Sequence, residues 1–279
     1  MRTAFVSLVG RPNVGKSTLV NALVGKKVSI VSDKPQTTRT RVRCILHLNE
    51  TQLVFVDTPG LHKASTALGE RVNSTALESV RDVDIVCLLI DATQTFGSGD
   101  KWVSDQLDIK NSIVIVNKID AVSPTKLLAQ LKDVSSLGAA EYFPVSAKTG
   151  EGIDQLIAEL VKRAPEGQPM FPAEMTTETP QAEWVAELVR EQLLSMTRDE
   201  LPYSIATRVT EWEWPRVRCE IIVERESQKG MVIGKSGSVL KAVGTEVRKQ
   251  MPDGAFLELF VVVDKDWQHR ADRVERLGY

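Results

Sequence analysis

The chain has 279 residues, 42% of them hydrophobic and 26% charged, a composition that excludes disordered and collagen-like classes and leaves apolar material for two cores. A formal charge of −2 excludes a uniformly basic surface, so any nucleic-acid site must arise from local charge. The longest apolar runs, such as Val86-Cys87-Leu88-Leu89-Ile90, are far shorter than the ~20 residues needed to cross a bilayer.

From Met1 to about Ala164, β-branched runs alternate with helical periodicity, the pattern of a wound α/β sheet. Strands are expected at Ala4–Gly10, Arg41–Leu48, Gln52–Asp57, Asp84–Asp91, Ser112–Asn117 and Tyr142–Ser146. Helices are expected at Lys16–Val24, Leu68–Val80, Gly99–Ile109, Pro124–Leu137 and Ile153–Lys162. Ile113-Val114-Ile115-Val116 is apolar throughout, which suits a mostly parallel sheet covered on both faces. The apolar start of the chain runs straight into a glycine-rich loop with no small-residue cleavage pattern, so it reads as a strand rather than a signal peptide.

Residues 165–181 carry Pro165, Pro169, Pro172 and Pro180 and no period, so they read as a linker that could reach roughly 55 Å when extended. The remainder reads as a helix (Ala182–Met196), strands (Tyr203–Trp212 and Arg218–Glu224), a short helix (Gln228–Ile233), a Gly-x-x-Gly loop, a helix (Ser238–Gln250), a strand (Phe256–Val263) and a final helix from Trp267. The expected organisation is residues 1–164, a linker at 165–181, and a smaller α+β domain at 182–279. Cys44, Cys87 and Cys219 are odd in number and share no metal-ligand spacing with His47, His62 or His269, so they read as buried hydrophobes in a reducing cytoplasm.

Gly10-Arg11-Pro12-Asn13-Val14-Gly15-Lys16-Ser17 matches G-x-x-x-x-G-K-[ST] between a strand and a helix, with Thr18 next in the helix. Glycines let the backbone bend around a phosphate chain with its N–H groups inward, and the helix N-terminus favours the anion. Lys16 would bridge the terminal phosphates and Ser17 would ligate Mg²⁺. Asp57-Thr58-Pro59-Gly60 at a strand end would reach the metal through water and sense the γ-phosphate. In Gln36-Thr37-Thr38-Arg39-Thr40 a threonine hydroxyl would complete the Mg²⁺ shell only while that phosphate is present; Thr38 is favoured over Thr37.

Asn117-Lys118-Ile119-Asp120 ends the next strong strand, where the Asp120 carboxylate would accept two hydrogen bonds from guanine that adenine lacks. Ser146-Ala147-Lys148 would offer a backbone N–H to the guanine oxygen. This ordered set resembles the translation-factor class of P-loop GTPases across the whole first domain. The resemblance implies phosphate binding by Gly10 to Ser17, sensing by Asp57 and Gly60, and base binding by Asn117, Lys118, Asp120 and Ala147. Leu61 stands where Ras-like members have a water-positioning glutamine. Members with a hydrophobic residue there commonly hold potassium with a phosphate-loop Asn, and Asn13 occupies the matching position; the alternative is that Asn13 only stabilises the loop. The expected catalytic set is therefore Asn13, Lys16, Thr38 and Gly60.

In the second domain, Val232-Ile233-Gly234-Lys235-Ser236-Gly237 carries a GxxG loop within an α-β-β-α-α-β order. In KH modules such a loop clamps the backbone of about four single-stranded nucleotides. Lys229, Lys235 and Lys241, with Arg248 and Lys249, surround it against Glu246 alone. Trp212, Trp214 and Trp267 read more readily as packing residues than as base-stacking ones, and Glu224-Arg225-Glu226 as a solvated strand end.

A G domain, linker and KH module in this order resemble the family of bacterial ribosome-assembly GTPases, and Leu201-Pro202-Tyr203-Ser204, Ile222 to Gly234 and Leu277-Gly278-Tyr279 carry the likeness. It implies GTP hydrolysis with Mg²⁺ and K⁺, binding of the 3′ end of 16S ribosomal RNA through Lys229, Val232, Ile233, Gly234, Lys235, Ser236, Gly237 and Lys241, and a role in small-subunit assembly. It also implies a cytoplasmic monomer able to associate peripherally with the inner face of the cell membrane. The competing reading is an RNA chaperone whose nucleotide domain is a docking scaffold.

Overall fold

The computed structural model of the protein describes residues 1–196 and 204–279. The chain forms two compact units: Met1–Val31, Thr38–Ala64 and Arg71–Glu178 make the first, and Ser32–Thr37, Ser65–Glu70 and Thr179–Tyr279 make the second.

The first unit is built on β1 (Arg2–Gly10), β2 (Val42–Leu48), β3 (Thr51–Asp57), β4 (Ile85–Asp91), β5 (Ile113–Asn117) and β6 (Glu141–Pro144), in spatial order β2-β3-β1-β4-β5-β6. All neighbours are parallel except β2 with β3, which are joined by a tight turn at Asn49 and Glu50 and pair antiparallel. The helices are α1 (Lys16–Val24), α2 (Ala67–Glu78), α3 (Ser98–Ser104), α4 (Pro124–Ser135) and α5 (Ile153–Arg163). Every residue of β3 and β5 is buried, because parallel strands joined by crossover helices are covered on both faces. One apolar layer joins Leu19, Phe55, Leu89, Ile115 and Leu156; the other joins Val9, Leu88, Val114 and Val134.

The helix expected at Gly99–Ile109 ends at Ser104. Beyond it Asp108 draws the chain into a turn, its side chain accepting from Asn111 (2.7 Å) and its carbonyl from the Ser112 hydroxyl (2.8 Å), local bonds that compete with helix. The strand expected through Ser146 stops at Pro144: Val145 N still donates to Val116 O (2.9 Å), but Ser146 N turns away to Glu151 O (2.9 Å).

The stretch read as a free linker is ordered along the first unit through Glu178. Thr3 N donates to Pro165 O (3.1 Å), Gln52 Oε1 accepts from Met170 N (2.8 Å) and Phe171 N (3.1 Å), and Ile45 N donates to Thr176 O (2.9 Å). Gln52 is wholly buried inside a strand, and the proline-rich segment supplies its amide with partners. The extended reach of roughly 55 Å is thus not available to these residues.

The second unit runs α6 (Gln181–Met196), β7 (Ala206–Glu213), β8 (Arg216–Val223), α7 (Glu226–Ile233), α8 (Ser238–Arg248), β9 (Phe256–Val263) and α9 (Ala271–Arg276). Its sheet has the order β7-β8-β9, with β7 antiparallel and β9 parallel to β8. Leu188, Val189, Ile221, Val223, Val243 and Val247 form its core. Leu201, Pro202 and Tyr203, the last of them the expected start of β7, lie outside the described residues. Trp267 is fully buried and donates from Nε1 to Ser204 O (3.0 Å), which makes it a packing residue. Glu224 is only half-buried rather than solvated: its backbone N–H donates to Gln228 Oε1 (2.9 Å), tying the end of β8 to α7.

Candidate functional site

Parallel pairing brings the carboxyl ends of β1, β3, β4 and β5 to one edge of the first sheet, and the order reverses at β1, between β3 and β4. Gly10, Asp57, Asp91 and Asn117 are the last residues of those four strands. The loop from Gly10 to Gly15 therefore turns above the crevice and enters α1 at Lys16, with Asn13 and Gly15 at positive φ.

Lys16 is 6% exposed and, among the described residues, donates to carbonyls of its own loop, Gly10 O (3.2 Å) and Arg11 O (3.0 Å). Burial lowers its pKa to about 8, against the opposing pull of Asp57. A buried ammonium with no hydrogen-bonded carboxylate is a site for an anion. Asp57 is fully buried and its pKa is raised by desolvation, offset by Ser29, Lys16, Ser17 and Thr38. Ser29 donates to Asp57 Oδ2 (2.7 Å), Thr38 Oγ1 lies 3.4 Å from the same oxygen, and Ser17 Oγ lies 2.9 Å from Thr38 Oγ1. Asp57 Oδ1 is buried without a partner. An orphaned carboxylate oxygen beside two hydroxyls fits a hard divalent cation with oxygen ligands. Thr37 is elsewhere, its hydroxyl donating to Lys34 O (2.7 Å) within the second unit.

Gly60 sits where an added Cβ would meet Pro12 N at 2.6 Å, so a side chain there would collide with the phosphate loop. Leu61 N donates to Gly10 O (3.1 Å) while its side chain is 1% exposed in the core. Thr58 is structural: its buried hydroxyl donates to Leu8 O (2.6 Å). Val14 is likewise buried, so only its backbone faces the loop.

At the other end of the crevice, Asn117 Nδ2 donates to Val14 O (2.9 Å) and its Oδ1 accepts from Ala147 N (3.0 Å). Lys118 Nζ donates to Asn13 O and to Asp91 Oδ2, both at 2.6 Å. Asp120 Oδ1 accepts from Ser146 Oγ (2.7 Å), which fixes the carboxylate while leaving its other oxygen unassigned. Lys148 is exposed beside Ala147. The loop from Gly10 to Gly15 and the segments that carry Asn117, Lys118 and Ala147 are thus bonded into one frame.

Sequence reading missed four residues here. Ser29 and Asp91 serve Asp57 and Lys118. Asp100 holds Arg11 at 3.2 Å, turning that guanidinium toward α3. In the second unit Arg190, fully buried on α6, donates to Thr37 O and pairs with Glu187; burial works against its charge, but Glu187 outweighs this and raises its pKa. An arginine on the apolar face of α6 was the only signal available for the last.

The Gly-x-x-Gly loop joins α7 to α8, with Gly234, Ser236 and Gly237 all at positive φ. Lys235, Ser236 and Lys241 are exposed, and Lys229, Ile233, Gly234 and Gly237 are half-buried. Val232 is a correction: its side chain is 0% exposed in the second core, so it anchors α7 and cannot touch a ligand. Its neighbour Met231 is the exposed one, at 60%.

Family models for a 50S ribosome-binding GTPase and for a KH domain match residues 5–118 and 200–268. The chain is 45% identical to the GTPase Era of Mycobacterium bovis (strain BCG / Pasteur 1173P2), over 99% of this chain and 98% of that one. It is 41% identical to the GTPase Era of Heliobacterium modesticaldum, over 100% and 97%. Among solved structures it is similar, with a TM-score of 0.95 and 37% identity over 100% of this chain and 99% of the other, to Era in complex with MgGDPNP and nucleotides 1506–1542 of 16S ribosomal RNA. An Aquifex aeolicus Era variant bound to GDP and aluminium fluoride matches with the same TM-score, 36% identity, and coverage of 100% and 99%.

Proposed function

The chain belongs to the Era family of GTPases, and from that premise we propose that GTP binding and hydrolysis in the first unit gate the binding of the 3′ end of 16S ribosomal RNA by the second, during assembly of the small ribosomal subunit. The observation that carries the reading is the cluster of Ser17, Thr38 and Asp57 beside Lys16. Its orphaned carboxylate oxygen and buried ammonium await a divalent cation and a phosphate.

In this reading Ser17, Thr38 and, through water, Asp57 hold Mg²⁺, which when bound neutralises phosphate charge. Lys16 and the backbone N–H groups from Asn13 to Thr18 grip the phosphates. Gly60 presents its N–H to the γ-phosphate because no side chain keeps it from the loop. Asp120 reads the guanine edge, with Asn117, Lys118, Ser146, Ala147 and Lys148 shaping the base pocket. Thr38 reaches its place only if the segment before it is ordered, so loss of the γ-phosphate releases that segment.

Leu61 is buried and has no polar atom, so it does not orient the attacking water. Potassium held at Asn13 supplies the missing charge in this proposal, and replacing potassium by sodium is expected to slow hydrolysis without weakening GDP binding. In the second unit, Gly234, Lys235, Ser236 and Gly237, with Ile233, Lys229 and Lys241 beside them, form the RNA groove. We place the protein in the cytoplasm as a monomer, with peripheral attachment to the inner face of the cell membrane as part of the same family expectation. No described helix is long and apolar enough to cross a membrane.

The test compares the affinity of a 16S 3′-end oligoribonucleotide in the presence of a non-hydrolysable GTP analogue and of GDP. A difference of about 5- to 150-fold is expected for coupling of ordinary strength. Equal affinities would refute the gate and favour a scaffold.

A further inference from the structure

The second unit contains a cleft that the nucleotide and RNA sites do not use. Trp184 on α6, Trp212 and Trp214 where β7 turns into β8, and Met251 after α8 enclose about 530 Å³ together with Gln181 and Asp253. That volume is in the range of sites that hold a side chain or small ligand. Trp212 and Trp214 remain 36% and 48% exposed, an unusual concentration of indole surface on a chain with five tryptophans. The cleft is also remote from the Gly-x-x-Gly loop. α8 starts beside Gly237 and ends at Arg248, so its eleven residues put about 16 Å between the loop and Met251.

The side chains that line the loop and the cleft differ in charge. Near the loop the side chains are Lys229, Lys235 and Lys241, which suits phosphate. The cleft is lined by no lysine or arginine, and its one charged lining residue, Asp253, is exposed and makes no ion pair among the described residues. Of the neighbouring cations, Arg216 pairs with Glu258 (2.8 Å), Arg218 with Glu211 (2.9 Å) and Lys249 with Glu246 (2.7 Å), while Arg248 on the last turn of α8 donates back along its own helix to Thr245 Oγ1 (3.4 Å). Glu213, between the two exposed tryptophans, is exposed as well. Aromatic faces attract cations, tryptophan most strongly, and a carboxylate at the opening adds a direct partner for one. A nucleic-acid backbone brought into this cleft would meet Asp253 and no lysine or arginine in its lining.

We propose that the cleft formed by Trp184, Trp212, Trp214 and Asp253 is a docking site for a protein partner, into which an arginine side chain on an exposed basic peptide segment inserts. Its guanidinium stacks on the indoles and pairs with Asp253, while the indole N–H groups of Trp212 and Trp214 donate to peptide carbonyls. Because the lysine-rich Gly-x-x-Gly loop and the cleft lined by Asp253 take ligands of opposite charge, RNA and this partner bind together rather than in competition.

The probe is an acetylated, amidated Gly-Arg-Gly-Arg-Gly peptide, set against the same peptide with citrulline, a neutral isostere of arginine. The full-length protein is titrated and followed by the indole N–H signals in NMR, those of Trp212 and Trp214 being assigned from their Phe variants. The arginine peptide is expected to shift these two signals, to bind at least tenfold more tightly than the citrulline peptide, and to lose most of that advantage in Asp253→Asn and in Trp214→Ala. Both positions are exposed, so the variants are expected to fold, and Trp214→Phe should retain part of the binding. Equal binding of the two peptides, or arginine-peptide binding unchanged by both Asp253→Asn and Trp214→Ala, overturns the proposal. So does displacement of the peptide by the 16S 3′-end oligoribonucleotide, or a shift of the same indole signals by that RNA alone, which would assign the cleft to nucleic acid.

Discussion

Ser17 and Thr38 are 21 positions apart in the chain, yet their hydroxyl oxygens lie 2.9 Å from each other, and Thr38 is also 3.4 Å from Asp57. Two hydroxyls and a carboxylate converge there although no backbone pairing joins the segments that carry them. Thr38→Ala removes one of the three groups and is expected to lower single-turnover GTP hydrolysis by about 10²-fold, the usual effect of deleting one stabilising contact to a transition state. GDP affinity should barely change. Thr37→Ala breaks only a bond to Lys34 O and should leave the rate within the same order of magnitude. A reversed ranking in a quenched-flow assay would reassign the switch threonine.

If Lys16 grips the phosphates as proposed, its buried ammonium should make nucleotide binding depend on pH. Its pKa in the nucleotide-free protein is lowered to about 8, below the ordinary 10.5. Between those values the unfolded chain holds a proton that the folded chain has released, so this group makes the protein more stable as pH rises from 8 toward 10.5, and contributes no pH dependence below 8. Triphosphate oxygens draw the proton back. GTP binding should therefore take up a proton above pH 8, and affinity should fall about tenfold per pH unit in the upper part of that window. Calorimetry in buffers of different ionisation enthalpy reads the proton directly, and Lys16→Met should abolish the uptake.

Asp120 is fixed by Ser146 at 2.7 Å, so its direction as well as its charge is set. Asp120→Asn would reverse one of the two hydrogen bonds proposed between this carboxylate and guanine. GTP affinity should drop by about 10³- to 10⁴-fold, with xanthosine triphosphate becoming the preferred ligand. Ser146→Ala should give a smaller loss with guanine still preferred. Competition binding with GTP, ATP and xanthosine triphosphate separates the two.

The two glycines of the Gly-x-x-Gly loop should fail differently. At Gly234 an added Cβ would meet Val239 Cγ2 at 2.6 Å, whereas at Gly237 there is open space; both have positive φ. Gly234→Ala should cost folding stability, on the order of 1–3 kcal/mol, seen as a lower melting temperature. Gly237→Asp should leave the unit folded and weaken binding of single-stranded 16S 3′-end RNA by about tenfold or more, through charge repulsion where phosphates approach. If both variants melt like the wild type and bind RNA equally well, the loop is not the groove.

Much of this was legible in linear order. A phosphate loop between a strand and a helix, DTPG and NKxD each at the end of an apolar run, and GxxG between two helices are short-range patterns. Strand ends and helix starts are local events, so their spacing was enough to predict a wound α/β sheet, a smaller α+β unit after it and a set of candidate nucleotide-site residues. The partners of those residues were not legible. Ser29, Asp91, Asp100 and Arg190 come from ordinary-looking stretches, and their roles arise only because distant segments are folded against one another. The same applies to Val232, whose motif suggests contact with RNA but whose strand and helix neighbours close over it, and to Gln52, whose buried amide orders a proline-rich segment that has no period of its own. A motif records the chemistry a backbone turn permits. Which oxygen has a partner, which lysine is stripped of water and which indole remains exposed depend on packing between residues far apart in the chain, and those were decided by the tertiary fold.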